Sequence, residues 1–245
     1  MSGGFIKFDL MKNYLFIALM FCSFHVAAQE SADYHNYRTR MSVPPYELVK
    51  VKKLVAGLKT VLEEGDEGHQ TMPDKIYNSL SLREKFTYNM IHAENFSQNC
   101  DVFFMENEHK KIFGHLPDIF GESNWSERQY KFLKENRDSV MALIKESVLR
   151  SKRMGANYKQ AIVEINGWEM IPFLISTYNT DRKDHDILTV LMLLMEKNKY
   201  PDFVASASYK KLYSSDAQYD AYIELNKPNE DLILQRADNF FKSKK

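Results

Sequence analysis

Only two cysteines occur in 245 residues, and Cys22 lies inside an apolar run near the start. Without that run Cys100 stands alone, so no disulfide within the chain can staple the fold and packing must supply its stability. Glycine (9) and proline (7) are sparse, which disfavours a turn-rich β architecture. Charge of one sign is missing too: 33 basic side chains meet 33 acidic ones. A balanced chain has no electrostatic footprint for nucleic acid or an anionic membrane. Beyond the first thirty residues no apolar run approaches the ~20 residues of a membrane span. A Gly-rich phosphate loop, a dinucleotide fingerprint, a Gly-x-Ser-x-Gly elbow and a His-Glu-x-x-His zinc helix are all absent. The expectation is therefore no cofactor, no metal and no nucleic-acid partner.

What is present begins with a leader. Met11-Lys12-Asn13 is a short basic start, Tyr14–Val26 an apolar stretch, and Val26-Ala27-Ala28 places small side chains at the −3 and −1 positions. This pattern predicts a secretory signal peptide over 1–28, cleaved between Ala28 and Gln29, with Met11 an alternative start. Thirteen apolar residues span only about 20 Å as a helix, too short for a permanent anchor. Phe21 before Cys22 also departs from the small residue that a lipoprotein site needs. The mature chain is expected to be exported, periplasmic or secreted, without membrane insertion after cleavage. It would carry 31 basic and 32 acidic side chains, a formal charge of −1.

The polar stretch 29–43 lacks periodicity and reads as a flexible lead-in. From residue 44 to 245 apolar residues recur at three- and four-residue steps, which predicts one all-α domain of packed helix pairs, solenoid-like or an irregular bundle. Leu48, Val51, Val55, Leu58 and Leu62 form the stripe of a helix over 46–63, whose other side carries Lys50, Lys52, Lys53 and Lys59. Ser81 with Glu84, and Ser126 with Gln129, have the spacing of reciprocal helix caps, and Trp125 can staple onto Tyr130. Asp138 or Ser139 is expected to cap the next helix. Further helices are expected over 157–165, 168–178, 186–197, 201–213 and 217–225, with a last one from Glu230 to Lys242 capped by Asn229. The helix over 186–197 has almost no polar face and is assigned to the centre of the core. Residues 95–123 are the least regular, with at most a short helix around Glu106–Phe113.

Ile165-Asn166-Gly167, followed by Ile171-Pro172-Phe173-Leu174-Ile175 and then Asp186–Met195, resembles one HEAT repeat. The resemblance places an inter-helix turn at Ile165–Gly167 and Pro172 in the first turn of the second helix, where its missing N–H is harmless. Asn166-Gly167 replaces the family's usual Gly-Asp. HEAT repeats bind other proteins, so the resemblance implies a non-catalytic protein–protein interaction module.

Side chains capable of chemistry gather in the irregular segment: His92, Glu94, Cys100, Asp101, His109, His115 and Asp118. They support an alternative, a small Cys-dependent hydrolase with Cys100 as nucleophile and His92, His109 or His115 as its base. Asp101 adjoins Cys100 and no Lys or Arg occurs between Lys85 and Lys110, so local charge disfavours the thiolate such chemistry needs. His92-x-Glu94 matches part of a zinc-deaminase motif but lacks its Pro-Cys-x-x-Cys. Asp184-His185-Asp186 reads as a loop ending in a helix cap. Asn95-Phe96-Ser97 and Asn124-Trp125-Ser126 fit the N-glycosylation pattern. A third class, a helical carrier of an apolar ligand, is suggested by the many aromatic and methionine residues, which a core also uses.

Overall fold

The computed structural model describes residues 29–60, 70–96 and 105–244. The leader, its Ala28–Gln29 junction on the Ala28 side, Leu62, Cys100 and Asp101 lie outside them. Among the described residues, helices account for nearly all regular structure, as the periodicity predicts, and the four strands are two or three residues long.

The core forms around one helix, α9 (Asp186–Lys197), whose Leu188, Val190, Leu191 and Leu194 are wholly buried. Its neighbours are α7 (Ala156–Glu164), α8 (Ile171–Asp181) and α12 (Lys227–Ser243). Enclosing such a side chain contributes about 1.5–3 kcal/mol. Between α7 and α8 the turn expected at Ile165–Gly167 is present, with a 3₁₀ turn over Trp168–Met170 leading into α8. Asn166, rather than Gly167, takes the left-handed conformation (φ 49°), and its amide oxygen accepts from Asn198 at 2.7 Å. Arg137 donates to the carbonyls of Ile165 and Asn166, fixing the turn onto α6 (Arg137–Ser151).

A smaller apolar cluster joins α2 (Leu48–Ala56), α3 (Asp74–Ser79) and α4 (Leu82–Ile91) through Val51, Met72, Tyr77, Leu80 and Tyr88. The Ser81–Glu84 reciprocal cap starts α4. At α5 (Glu127–Glu135) Gln129 accepts from the Ser126 N–H at 3.0 Å, and Trp125 packs edge-on against Tyr130 with ring centroids 5.8 Å apart.

Five expectations need correction. The stretch 29–43 is not a loose lead-in: 29–39 form a helix, α1, and Ser31, Arg38 and Ser42 are buried. Polar anchoring replaces the apolar stripe that periodicity detects. The first predicted helix stops at Ala56, where the Gly57 N–H donates to the Leu54 carbonyl and the Leu58 N–H to that of Val55. Residues 217–225 are not helical. Tyr222–Glu224 (β4) pairs antiparallel with Lys111–Phe113 (β2), Ile112 opposite Ile223, because alternation across three residues buries Ile223 and leaves Glu224 outside. The last helix starts at Lys227, capped by Asn226 rather than Asn229, with Pro228 in its first turn. Likewise α6 begins at Arg137, with Asn136 in the cap position ahead of Asp138 and Ser139. A second ladder, Asn95–Phe96 (β1) with Ser123–Asn124 (β3), sets the two sequon asparagines opposite one another. The short α10 (Pro201–Val204) and α11 (Ala207–Tyr213) complete the set.

Candidate functional site

One connected chain of buried charges crosses the interior. Lys159, on α7 and only 1% exposed, donates from Nζ to Asp184 Oδ1 at 2.7 Å and to Asp186 Oδ2 at 3.3 Å. Asp186 opens α9 and accepts from Arg38 of α1, Nη2 to Oδ1 at 2.9 Å and Nε to Oδ2 at 3.3 Å. Arg38 reaches on to Glu108 at 3.5 Å, and Glu108, just ahead of β2, meets His35 Nδ1 at 3.1 Å. Three carboxylates, one lysine and one arginine thus link α1, α7, α9 and the 3₁₀ turn Glu108–Lys110. Buried charges persist only when paired and hydrogen-bonded.

Burial is the largest influence on both aspartates and opposes their ionisation. At Asp186 the cations Lys159 and Arg38 overcome it and hold the carboxyl below the usual carboxylate range. Among the described residues Asp184 is hydrogen-bonded to one cation, Lys159, and burial together with the charge of Asp186 pushes it up.

The Arg38 end of this chain forms part of a cleft of about 480 Å³. Its wall combines His35, Arg38 and Thr39 of α1 with Glu108, Phe113 and the loop His115–Asp118. Tyr219, 57% exposed, stands at its rim. The Arg38 guanidinium lies 4.1 Å from the Phe113 ring centroid, so one wall is a stacked cation and aromatic pair. Across α1, a smaller cleft of about 290 Å³ takes in Tyr37, Arg153 and Asp184, the opposite end of the charge chain.

The histidines proposed as bases stand in three different settings. His92 Nε2 lies 2.5 Å from the Gln70 carbonyl oxygen beside the smaller core. His109 sits 3.7 Å from Glu30. His115 lines the large cleft, its ring edge-on to Tyr213 with centroids 5.8 Å apart. No contact joins two of them among the described residues, and Cys100 lies outside those residues. Nor is any group of three or more metal-ligating side chains arranged to hold an ion there.

Glu94, half of the partial deaminase motif, is instead the hub of a second buried cluster. Tyr88 and Ser126 donate hydroxyls to it at 2.6 Å each, and Arg128 forks onto both its oxygens. Burial opposes its charge, but Arg128, Ser126 and Tyr88 outweigh that and hold its carboxyl below the usual range. Glu94 thereby ties the end of α4 to α5.

Sequence reasoning missed Arg38, Glu108 and Lys159. A lysine inside an apolar helix and two aspartates ahead of a helix without a polar face were the available signals. Asp184-His185-Asp186, read as a cap, is the middle of the charge chain. Comparison of the chain with protein families, curated proteins and solved structures finds no match.

Proposed function

We propose that this is an exported, non-catalytic binding protein that presents the cleft beside α1 to a partner protein. The observation that carries the reading is the state of the cleft's strongest charges. Arg38 is held by Asp186 and Glu108, and Glu108 by Arg38 and His35. Groups tied in several directions build a rigid wall; a general base or nucleophile must instead be within reach of substrate and able to exchange a proton. The cleft's volume falls in the ~300–1,000 Å³ range of sites that hold ligands. Phe113, Leu116, Pro117 and the exposed Tyr219 supply the aromatic and apolar surface on which interface anchors settle. Export rests on the leader over Met11–Ala28. In addition, no helix among the described residues is long and apolar enough to cross a membrane.

The test is to isolate the protein from the cells that make it, as wild type, Tyr219→Asp and Cys100→Ser. Wild type and Cys100→Ser are expected to retain the same partner, and Tyr219→Asp to lose it. Retention by Tyr219→Asp, or loss with Cys100→Ser, overturns the reading.

A further inference from the structure

The helix α1 is seated differently from the other long helices among the described residues. Residues 29–39 contain no Leu, Ile, Val, Phe or Met, and neither apolar cluster includes any of them. What holds α1 is polar. Ser31 donates to the Met105 carbonyl and accepts from the Glu108 N–H, both at 3.4 Å. His35 and Arg38 join the charge chain. Arg153 donates to the carbonyls of Tyr37, Arg40 and Met41 at its C-terminal end. Beneath it lies His185, 8% exposed, with Tyr34 of α1 covering its ring at 4.9 Å between centroids. The Nδ1 atom of His185 is buried without a hydrogen-bond partner.

We propose that α1 is an acid-released latch: protonation of His185 lifts α1 off the body and opens both clefts that it walls. An imidazolium could not stay under α1 without a partner for Nδ1, because a buried charge left unpaired is strongly disfavoured. Lifting α1 removes the Tyr34 cover and admits water. The rest of the fold is held mainly by its apolar core, and Lys159 still pairs with Asp184 and Asp186 when α1 leaves. The latch therefore opens without global unfolding.

The groups acting on His185 come from every side. Tyr34 and Arg38 face it from α1, Asp186 from its own segment, His109 from the 3₁₀ turn and Glu230 from α12. Asp186 and Glu230 favour its charged form. Burial, the largest influence, together with Arg38 and His109, prevails and lowers it to about 4 while the latch is closed. An exposed imidazole titrates near 6.5. A histidine depressed in the closed state costs that state stability as pH falls from about 6.5 to about 4, and nothing further below. Between pH 7.5 and 5.0 the ratio of open to closed rises roughly 30-fold on these values. The proposal stands whether or not the cleft binds a partner.

Amide hydrogen exchange of the purified protein, corrected for the intrinsic effect of pH on exchange, reads this directly. Opening of 31–39 should rise roughly 30-fold from pH 7.5 to 5.0, with 187–195 unchanged. In His185→Gln the rise should shrink to less than about threefold, the titrating group being gone. Equal loss of protection in 31–39 and 187–195, no rise in 31–39, or an undiminished rise in His185→Gln overturns the proposal. Should His185→Gln not fold, Tyr34→Ala decides: it keeps every buried charge and removes the cover. With the cover gone His185 is less shielded in the closed state, so the rise in opening of 31–39 from pH 7.5 to 5.0 should shrink well below 30-fold, and an undiminished rise refutes the latch.

Discussion

Replacing Lys159 by Met keeps an unbranched apolar stem of four heavy atoms and removes the ammonium from the middle of the charge chain. Asp186 retains Arg38 at 2.9 Å, whereas Asp184 keeps only the through-space charge of Arg153. Both carboxylates remain enclosed, at 5% exposure or less. Removing one partner of a buried pair leaves an uncompensated charge and costs about 3–5 kcal/mol. Lys159→Met should lose that much at pH 7 in urea unfolding. The double variant Lys159→Met/Asp184→Asn, which removes the orphaned charge too, should recover more than half. The pH dependence has a definite sign. Burial already raises Asp184 with its lysine present, and the variant raises it further, so the folded state takes up a proton there. The deficit is then smallest near pH 4, grows as pH rises through the folded pKa of Asp184, and levels off above it. A single variant within ~0.5 kcal/mol of wild type, or a double variant no better than the single, would refute the assignment of Lys159 as the charge that makes Asp184 tolerable.

Leu191→Ala should lose about 2–5 kcal/mol in the same assay, because Leu191 is wholly buried in α9 and truncation leaves a cavity. Gly155→Ala should destabilise by more than the usual ~1–3 kcal/mol of overpacking. Its new Cβ would lie 2.0 Å from the Ser42 backbone nitrogen, where backbone rather than a movable side chain must yield. N-terminal sequencing of the protein isolated from the cells that make it should begin at Gln29 or its cyclised form; a protein starting at an acylated Cys22 would contradict the leader reading.

The parts of the fold that the sequence made legible are those written in local patterns. Ser81 with Glu84 and Trp125 with Tyr130 lie three and five residues apart, so spacing alone revealed them. The absence of a polar face on α9 announced its burial. What stayed hidden depends on partners far apart in the chain. Residues 29–39 look featureless until Arg38 meets Asp186, 148 residues away. Tyr222–Glu224 is too short to declare itself a strand without Lys111–Phe113 beside it. The candidate site suffered most. His92, His109 and His115 were grouped by nearness in sequence, yet only His115 reaches the large cleft, and that cleft is completed by Arg38 and Tyr219, roughly eighty residues before and a hundred after it.

That α1 and the loop His115–Asp118 form a binding wall is tested most directly by cross-linking in place. A photo-reactive phenylalanine analogue put at Tyr219, at the cleft rim, is compared with the same analogue at Leu232 on α12, both in the protein produced by its own cells. Illumination should yield one discrete protein adduct from position 219 and none from 232. No adduct from 219, or the same adducts from both positions, would contradict the cleft as the place where this protein meets its partner.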